Sequence, residues 1–189
     1  SIGNDLLAEL LRLIAPLTAI KEGMHDNIGI AKALAQGYLT VDEAARVNIF
    51  TVDKYQKIIA HRMAAEKKIS VFVNGQQLAF DAEPYLENNR TFVPIRKIGE
   101  ALQTDEISWD NRYQQAVLIK NGMTLRLPVG SKTVFKDTMA LDLEAPITTY
   151  QSRTFVPLRF ISEAFDCDVE WDARTYSIHI YSDDIVPPV

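Results

Sequence analysis

The chain has 189 residues, 47% hydrophobic and 24% charged, with a formal net charge of −5 and one cysteine. That composition is that of an ordinary globular protein, for which disorder is not the default, and the single Cys167 excludes an intramolecular disulfide or a multi-cysteine metal centre. Divided after residue 68, the charge is +1 and then −6, and an acidic second part without a Lys/Arg-rich block argues against a nucleic-acid partner.

Residues 4 to about 66 read as helical. Leu6, Leu10, Leu13 and Leu17 form a stripe at helical spacing, widened by Leu7, Leu11 and Ile14, and one broad face must be covered by the rest of the region, a partner protein or a second copy. Pro16 ends or kinks this helix. Glu9 and Arg12 interrupt the leucine run and Asp5 precedes it, so it lacks the basic leader and clean apolar middle of a signal peptide; either the protein stays inside or a signal was removed before residue 1. No apolar run approaches the ~18–20 residues that span a bilayer. A second helix starts near Asp26 or Asn27 and stops at Gly37, Thr40-Val-Asp-Glu43 spells a capping box, and a last helix from about Thr51 aligns Val52, Tyr55, Ile58, Ile59 and Met63 before the charged linker Glu66-Lys67-Lys68.

From Ile69 the period becomes two. Val71-Phe72-Val73 and Gln77–Phe80 flank Asn74-Gly75, while Ala116–Ile119 and Met123–Leu127 flank Asn121-Gly122; both read as tight hairpins, because Asn-Gly accepts positive φ angles. Between them, Arg90-Thr-Phe-Val-Pro-Ile-Arg96 returns 63 positions later as Arg153-Thr-Phe-Val-Pro-Leu-Arg159. Ile98, Glu100, Ala101 and Asp105 are answered by Ile161, Glu163, Ala164 and Asp168, and after a one-residue slip Trp109-Asp-Asn-Arg112 by Trp171-Asp-Ala-Arg174. Each copy reads as a short strand, then a helix begun by Pro94 or Pro157 at its first position. The buried helical faces are Ile95, Ile98, Ala101 and Leu102, and Leu158, Ile161, Ala164 and Phe165. Two copies are too few for a solenoid. The expected architecture is therefore α+β: a helical region over 1–66, then a duplicated hairpin-strand-helix-strand-strand domain over 69–183, its repeats at about 69–127 and 132–182 related by a pseudo-two-fold.

The string R-T-F-V-P-[IL]-R, followed by an amphipathic helix and W-D-x-R, resembles the repeat of the copper amine oxidase N-terminal-like, or stalk, domain family from about Ile69 to Tyr181. The resemblance implies a non-catalytic module of secreted or surface proteins of Gram-positive bacteria. Amine oxidation itself is excluded: no Asn precedes a Tyr to form the quinone-generating string, and His25, His61 and His179 are too scattered for copper. No cofactor, metal or catalytic residue is expected. Residues 34–58 also resemble short XkdX-type phage proteins encoded beside tail genes, which pair two small helices each opened by a threonine cap; Val47-Asn48 departs from that pattern. This second resemblance implies a phage particle or its host-wall interface.

The candidate ligand-binding residues are Trp109, Trp171, Tyr113, Tyr176, Arg90 and Arg153. The tryptophans are read first as core aromatics closing each repeat, since a binding aromatic has no reason to recur at one structural position, and otherwise as platforms for sugar rings. Tyr113, Tyr150, Tyr176 and Tyr181 suit a recognition face or half-buried strands. Asp110 and Asp172 are expected to accept the amides that follow them, with Arg112 and Arg174 as partners. Arg90, Arg96, Arg153 and Arg159 suit an anion site, but in so acidic a region they are expected to pair with Glu100, Glu163 or the turn aspartates. Glu100 and Glu163 would be the acid/base pair of a hydrolase only if they faced one cleft about 5–9 Å apart. Cys167, between Phe165 and Val169, reads as a small buried thiol. The expected function is a non-enzymatic structural or adhesion module, extracellular or in a virion, acting through protein contacts at Leu6, Leu10, Leu13 and Leu17. The alternative is a module that binds peptidoglycan or another glycan.

Overall fold

The computed structural model describes residues 29–185; the stripe of Leu6, Leu10, Leu13 and Leu17 lies outside them. Among the described residues the helices are α1 (Ile30–Ala35), α2 (Val41–Ala45), α3 (Val52–Glu66), α4 (Ile95–Ala101) and α5 (Leu158–Ala164). The strands are β1 (Ser70–Val73), β2 (Gln76–Gln77), β3 (Tyr85–Glu87), β4 (Arg90–Pro94), β5 (Glu106–Asp110), β6 (Gln115–Lys120), β7 (Met123–Pro128), β8 (Thr133–Lys136), β9 (Met139–Asp142), β10 (Thr148–Tyr150), β11 (Arg153–Pro157), β12 (Asp168–Asp172) and β13 (Ser177–Tyr181). The class is mixed α+β. Two compact units result: residues up to Lys67 with Tyr85–Arg90, and Lys68–Pro84 with Thr91 onward.

In the first unit, Gly37 leaves α1 in the left-handed conformation (φ 81°) and the chain reverses into α2. The capping box is present: Glu43 N–H donates to Thr40 Oγ1 at 3.1 Å, and Thr40 N–H to Glu43 Oε2 at 2.9 Å. The Glu43 carboxylate also takes a bidentate fork from Arg62 of α3, 2.8 Å on each side. Those bonds, with the Thr40 amide, hold its pKa down at about 2. At α3 the cap differs from the threonine pattern. Thr51 makes no capping bond into the helix; instead Asn48 Oδ1 accepts the amides of Phe50 and Thr51, so Asn48 supplies the cap its neighbour lacks. Ile30, Ala33, Leu39, Ala44, Val47, Tyr55 and Ile59 form the apolar centre. His61 of α3 packs its ring on Tyr85, centroids 4.0 Å apart, and burial, then nearby Lys57, pushes its pKa down to about 4.

The second unit is organised by the two Arg-Thr-Phe-Val-Pro strands. β4 and β11 pair antiparallel with Val93 opposite Val156, Phe92 opposite Pro157 and Pro94 opposite Phe155. The two valines, 63 apart in sequence, thus face one another, and both valines and both phenylalanines are buried. Pro94 and Pro157 have extended backbones at the cap positions of α4 and α5, one residue earlier than expected. Beyond each helix lies a two-strand hairpin, β5-β6 or β12-β13.

Each hairpin that precedes one Arg-Thr-Phe-Val-Pro motif joins the sheet formed by the strands that follow the other motif. β1-β2, ahead of the first motif, joins the strands that follow the second, in the order β12-β13-β1-β2, with β1 parallel to β13. β8-β9, ahead of the second motif, joins the strands that follow the first, in the order β5-β6-β7-β8-β9. The additional strand β7 separates the two hairpins of this larger sheet. Non-glycine left-handed residues recur at matching points: Gln103 and Asp166 after the helices, and Gln114 and Tyr176 in the hairpin turns.

Helix α4 rests on its sheet through Gly99, where an added Cβ would lie 2.8 Å from Ile107 Cδ1 and 2.9 Å from Leu118 Cδ2. Its sequence counterpart on α5, Ser162, is fully buried and its hydroxyl has no hydrogen-bond partner. We therefore expect Gly99→Ala to destabilise this unit by about 1–3 kcal/mol through overpacking against buried Leu118. Ser162→Ala should stabilise it by about 1 kcal/mol, because it removes an unpaired buried hydroxyl. Urea unfolding followed by tryptophan fluorescence measures both, since Trp109 and Trp171 lie in this unit; a stabilising Gly99→Ala would contradict the close approach.

Acid acts on the first unit in two windows. His61 has a folded-state pKa below its unfolded value, so its contribution is full above about pH 6.5 and declines as pH falls towards about 4. Glu43 contributes above about 4.5 and loses its share as pH falls towards about 2. We expect about 1–2 kcal/mol to be lost between pH 6.5 and 4.5 through the half-buried His61 ring. NMR titration of the imidazole should give a midpoint near 4; an ordinary midpoint near 6.5 would remove this account.

Candidate binding cleft and aromatic turns

The Trp-Asp-x-Arg segments close the β5-β6 and β12-β13 hairpins as expected. Asp110 Oδ1 accepts the amides of Arg112 and Tyr113 at 2.9 and 3.3 Å, and its Oδ2 accepts from buried Gln115 at 3.1 Å. Asp172 Oδ1 accepts the amides of Arg174 and Thr175 at 2.9 and 3.4 Å. Hydrogen bonding, led by Gln115 in one turn and Thr175 in the other, lowers both carboxyl pKa values. Arg174 stands 3.8 Å from Asp172, whereas Arg112 lies over the Tyr113 ring, 5.3 Å from its centroid.

The tryptophans are not core residues. Trp109 is 43% and Trp171 41% exposed, which corrects the reading that each seals its repeat. Both stand near the outer end of a strand, just before the turn, where the indole flanks the core without entering it. Their surroundings differ. Trp109 Nε1 donates to Asn111 Oδ1 at 3.0 Å, fixing the ring; the corresponding position beside Trp171 is Ala173. Trp171 instead meets half-buried Tyr176 edge-on, centroids 5.2 Å apart.

Trp109 lines a cleft of about 470 Å³, within the roughly 300–1,000 Å³ usual for small-molecule sites. Pro94, Arg96, Lys97 and Glu100 enter from β4 and α4, Ser108 and Ala116 from the sheet, Asp81 from the segment after β2, and Ser152, Arg153 and Thr154 from the start of β11. Arg153 Nη2 and Nε donate to Asp81 Oδ2 at 2.8 and 3.1 Å, which lowers the Asp81 pKa. Arg96, Lys97 and Glu100 form no ion pair among the described residues.

Of the six candidate binding residues, the cleft unites Trp109 and Arg153. Trp171 and Tyr176 form a separate pair. Tyr113 is exposed on its turn, and Arg90 belongs to the first unit, donating to Asn88 O at 3.1 Å. The expected arginine pairing is met at Arg159, 3.4 Å from Glu163, but Arg153 takes Asp81, a residue that no motif singled out. Lys97 and Ser152 were also missed, because only the tertiary fold brings them beside Trp109. Glu100 lines the cleft while Glu163 is paired with Arg159, so the two do not form an acid/base pair across it. Cys167 is buried, and desolvation raises its thiol pKa.

These features define an α+β domain with a small polar cleft floored by strand and helix ends. The chain belongs to the family described as copper amine oxidase N-terminal domain, whose model matches residues 72–180. It is also similar to a primary amine oxidase of Klebsiella aerogenes, 28% identical over 78 residues, which are 41% of this chain and 10% of that protein. The family is a non-catalytic part of copper amine oxidases. The residues here do not fit a copper centre: among those described, no three His, Cys, Asp or Glu side chains are grouped to hold a metal ion. His179 is engaged with Ser177, Nε2 to Oγ 3.0 Å, and His61 lies in the other unit.

Because both indoles reach solvent, acrylamide should quench Trp109 and Trp171 efficiently in the folded protein, each read in a variant with the other tryptophan changed to Phe. Folded-state quenching as slow as that of a buried indole in either variant would contradict the surface placement.

Proposed function

We propose that this chain is a non-enzymatic binding module of a Gram-positive bacterial surface or a phage particle, and that it holds a cell-wall glycan in the cleft beside Trp109. The observation that carries this reading is the oriented, half-exposed indole of Trp109 at the wall of a cleft rich in polar side chains. An aromatic face provides a platform for the apolar face of a sugar, while the surrounding groups provide hydrogen bonds. We further read the domain as a duplicated unit with a pseudo-two-fold between β4 and β11, a view supported by the pairing of Val93 with Val156. Membership of a non-catalytic family supports binding over turnover. The extracellular or virion location draws its support from the stalk-type motif and from the resemblance of residues 34–58 to phage proteins.

A second reading, adhesion through protein contacts, is supported by the first unit. Ile49 and Phe50 stand in the loop between α2 and α3, and Phe50 is 90% exposed. A protein partner or self-association through the N-terminal helices would use such apolar residues together with Leu6, Leu10, Leu13 and Leu17.

Sedimentation with purified peptidoglycan tests the first reading. We expect the intact chain to co-sediment and Trp109→Ala, confirmed folded by circular dichroism, to bind at least about tenfold more weakly, the loss typical of a central aromatic anchor. Full retention of binding by that variant would refute the role of the cleft.

A further inference from the structure

Resting on the glycan-binding reading, the charge of the cleft narrows the sugar. Arg153 is neutralised within the cleft by Asp81, 2.8 Å away. Arg96 and Lys97 remain without an ion partner, against the single carboxylate of Glu100. This is a cationic spot on a part of the chain whose formal charge is −6. The second copy departs at these positions: Lys97 corresponds to Phe160, Ser108 to Glu170, and Arg159, the counterpart of Arg96, is paired with Glu163. Trp109 is oriented through Asn111 where Trp171 has Ala173. Oriented indole and unpaired cations therefore coincide at the first copy.

We propose that the cleft beside Trp109 takes a carboxylate-bearing sugar, its ring stacked on the indole and its carboxylate held by Arg96 and Lys97. Ser152 and Thr154 offer hydroxyls to the remaining sugar oxygens. A guanidinium suits the two oxygens of a carboxylate, and an ammonium adds an adaptable second donor.

Isothermal titration of the full chain with N-acetylmuramic acid, N-acetylglucosamine and N-acetylglucosamine 6-phosphate tests this, with the Trp109 indole resonance as the site-specific readout. N-acetylmuramic acid should bind about tenfold or more tightly than N-acetylglucosamine, as a charge-assisted hydrogen bond provides. The double substitution Arg96→Gln, Lys97→Gln should abolish that preference, read as the ratio of the two affinities in the variant. Equal affinities for the acidic and neutral sugars would overturn the carboxylate assignment and leave glycan binding standing. So would a preference surviving in the double variant, or tighter binding of the phosphate sugar than of the muramic acid. If no sugar perturbs Trp109 and wall sedimentation also fails, both readings fall.

Discussion

Val93 and Val156 face one another in the antiparallel pair made by β4 and β11, flanked by Phe92 against Pro157 and Pro94 against Phe155. Four buried apolar side chains here, the two valines and two phenylalanines, each contribute about 1.5–3 kcal/mol by leaving water. Proline has no N–H to continue a ladder, so each strand stops at its proline and the chain turns into α4 or α5. One short pairing thus fixes where both helices begin. It also fixes where the sheets beneath them lie, since Ile98 of α4 and Ile161 of α5 are fully buried. The cross-connected hairpins then tie the ends of the unit together: β1 cannot pair with β13 until the last strand is present. Such pairing over some hundred residues is slow to form and favours cooperative folding of the whole unit.

Within this frame, the two Arg-Thr-Phe-Val-Pro segments and their hairpins differ in a few side chains. Gly99 admits Ile107 and Leu118 to the backbone of α4, whereas α5 carries Ser162. Asn111 orients one indole and Ala173 leaves the other to Tyr176. The ion pair of Arg153 with Asp81 is exposed and adds little stability. Its larger consequence is electrostatic, since it cancels one charge of the cleft and leaves Arg96 and Lys97 to set the sign there.

Local chemistry was legible in the sequence. Asn74-Gly75 and Asn121-Gly122 turn hairpins with both residues at positive φ, Thr40-Glu43 closes a capping box, and Asp110 and Asp172 brace their turns. These arrangements depend on residues only a few positions apart. The parallel β1-β13 pair, the separating role of β7 and the short strands β3 and β10 were not legible, because their partners are chosen by tertiary packing. Asp81 escaped notice for the same reason: its partner Arg153 is 72 positions away.

The tryptophans are exposed although they recur at one structural position, so recurrence of an aromatic does not make it a core residue. Each Trp-Asp-x-Arg segment closes a two-strand hairpin, and the tryptophan of each is exposed. The aspartate turn fixes the end of the strand, and the residue before that aspartate is carried to the same half-exposed place in both hairpins, whether or not both are used. Recurrence therefore reports the geometry of the turn and does not bear on burial. What bears on function is the neighbourhood that recurrence does not preserve: Asn111, Lys97 and Ser108 around Trp109, against Ala173, Phe160 and Glu170 at the matching sequence positions of the second motif. A recurring surface aromatic becomes informative where its neighbours diverge: Arg96 and Lys97 line the cleft beside Trp109 without an ion pair among the described residues, whereas Arg159 is paired with Glu163 and Phe160 stands at the position matching Lys97.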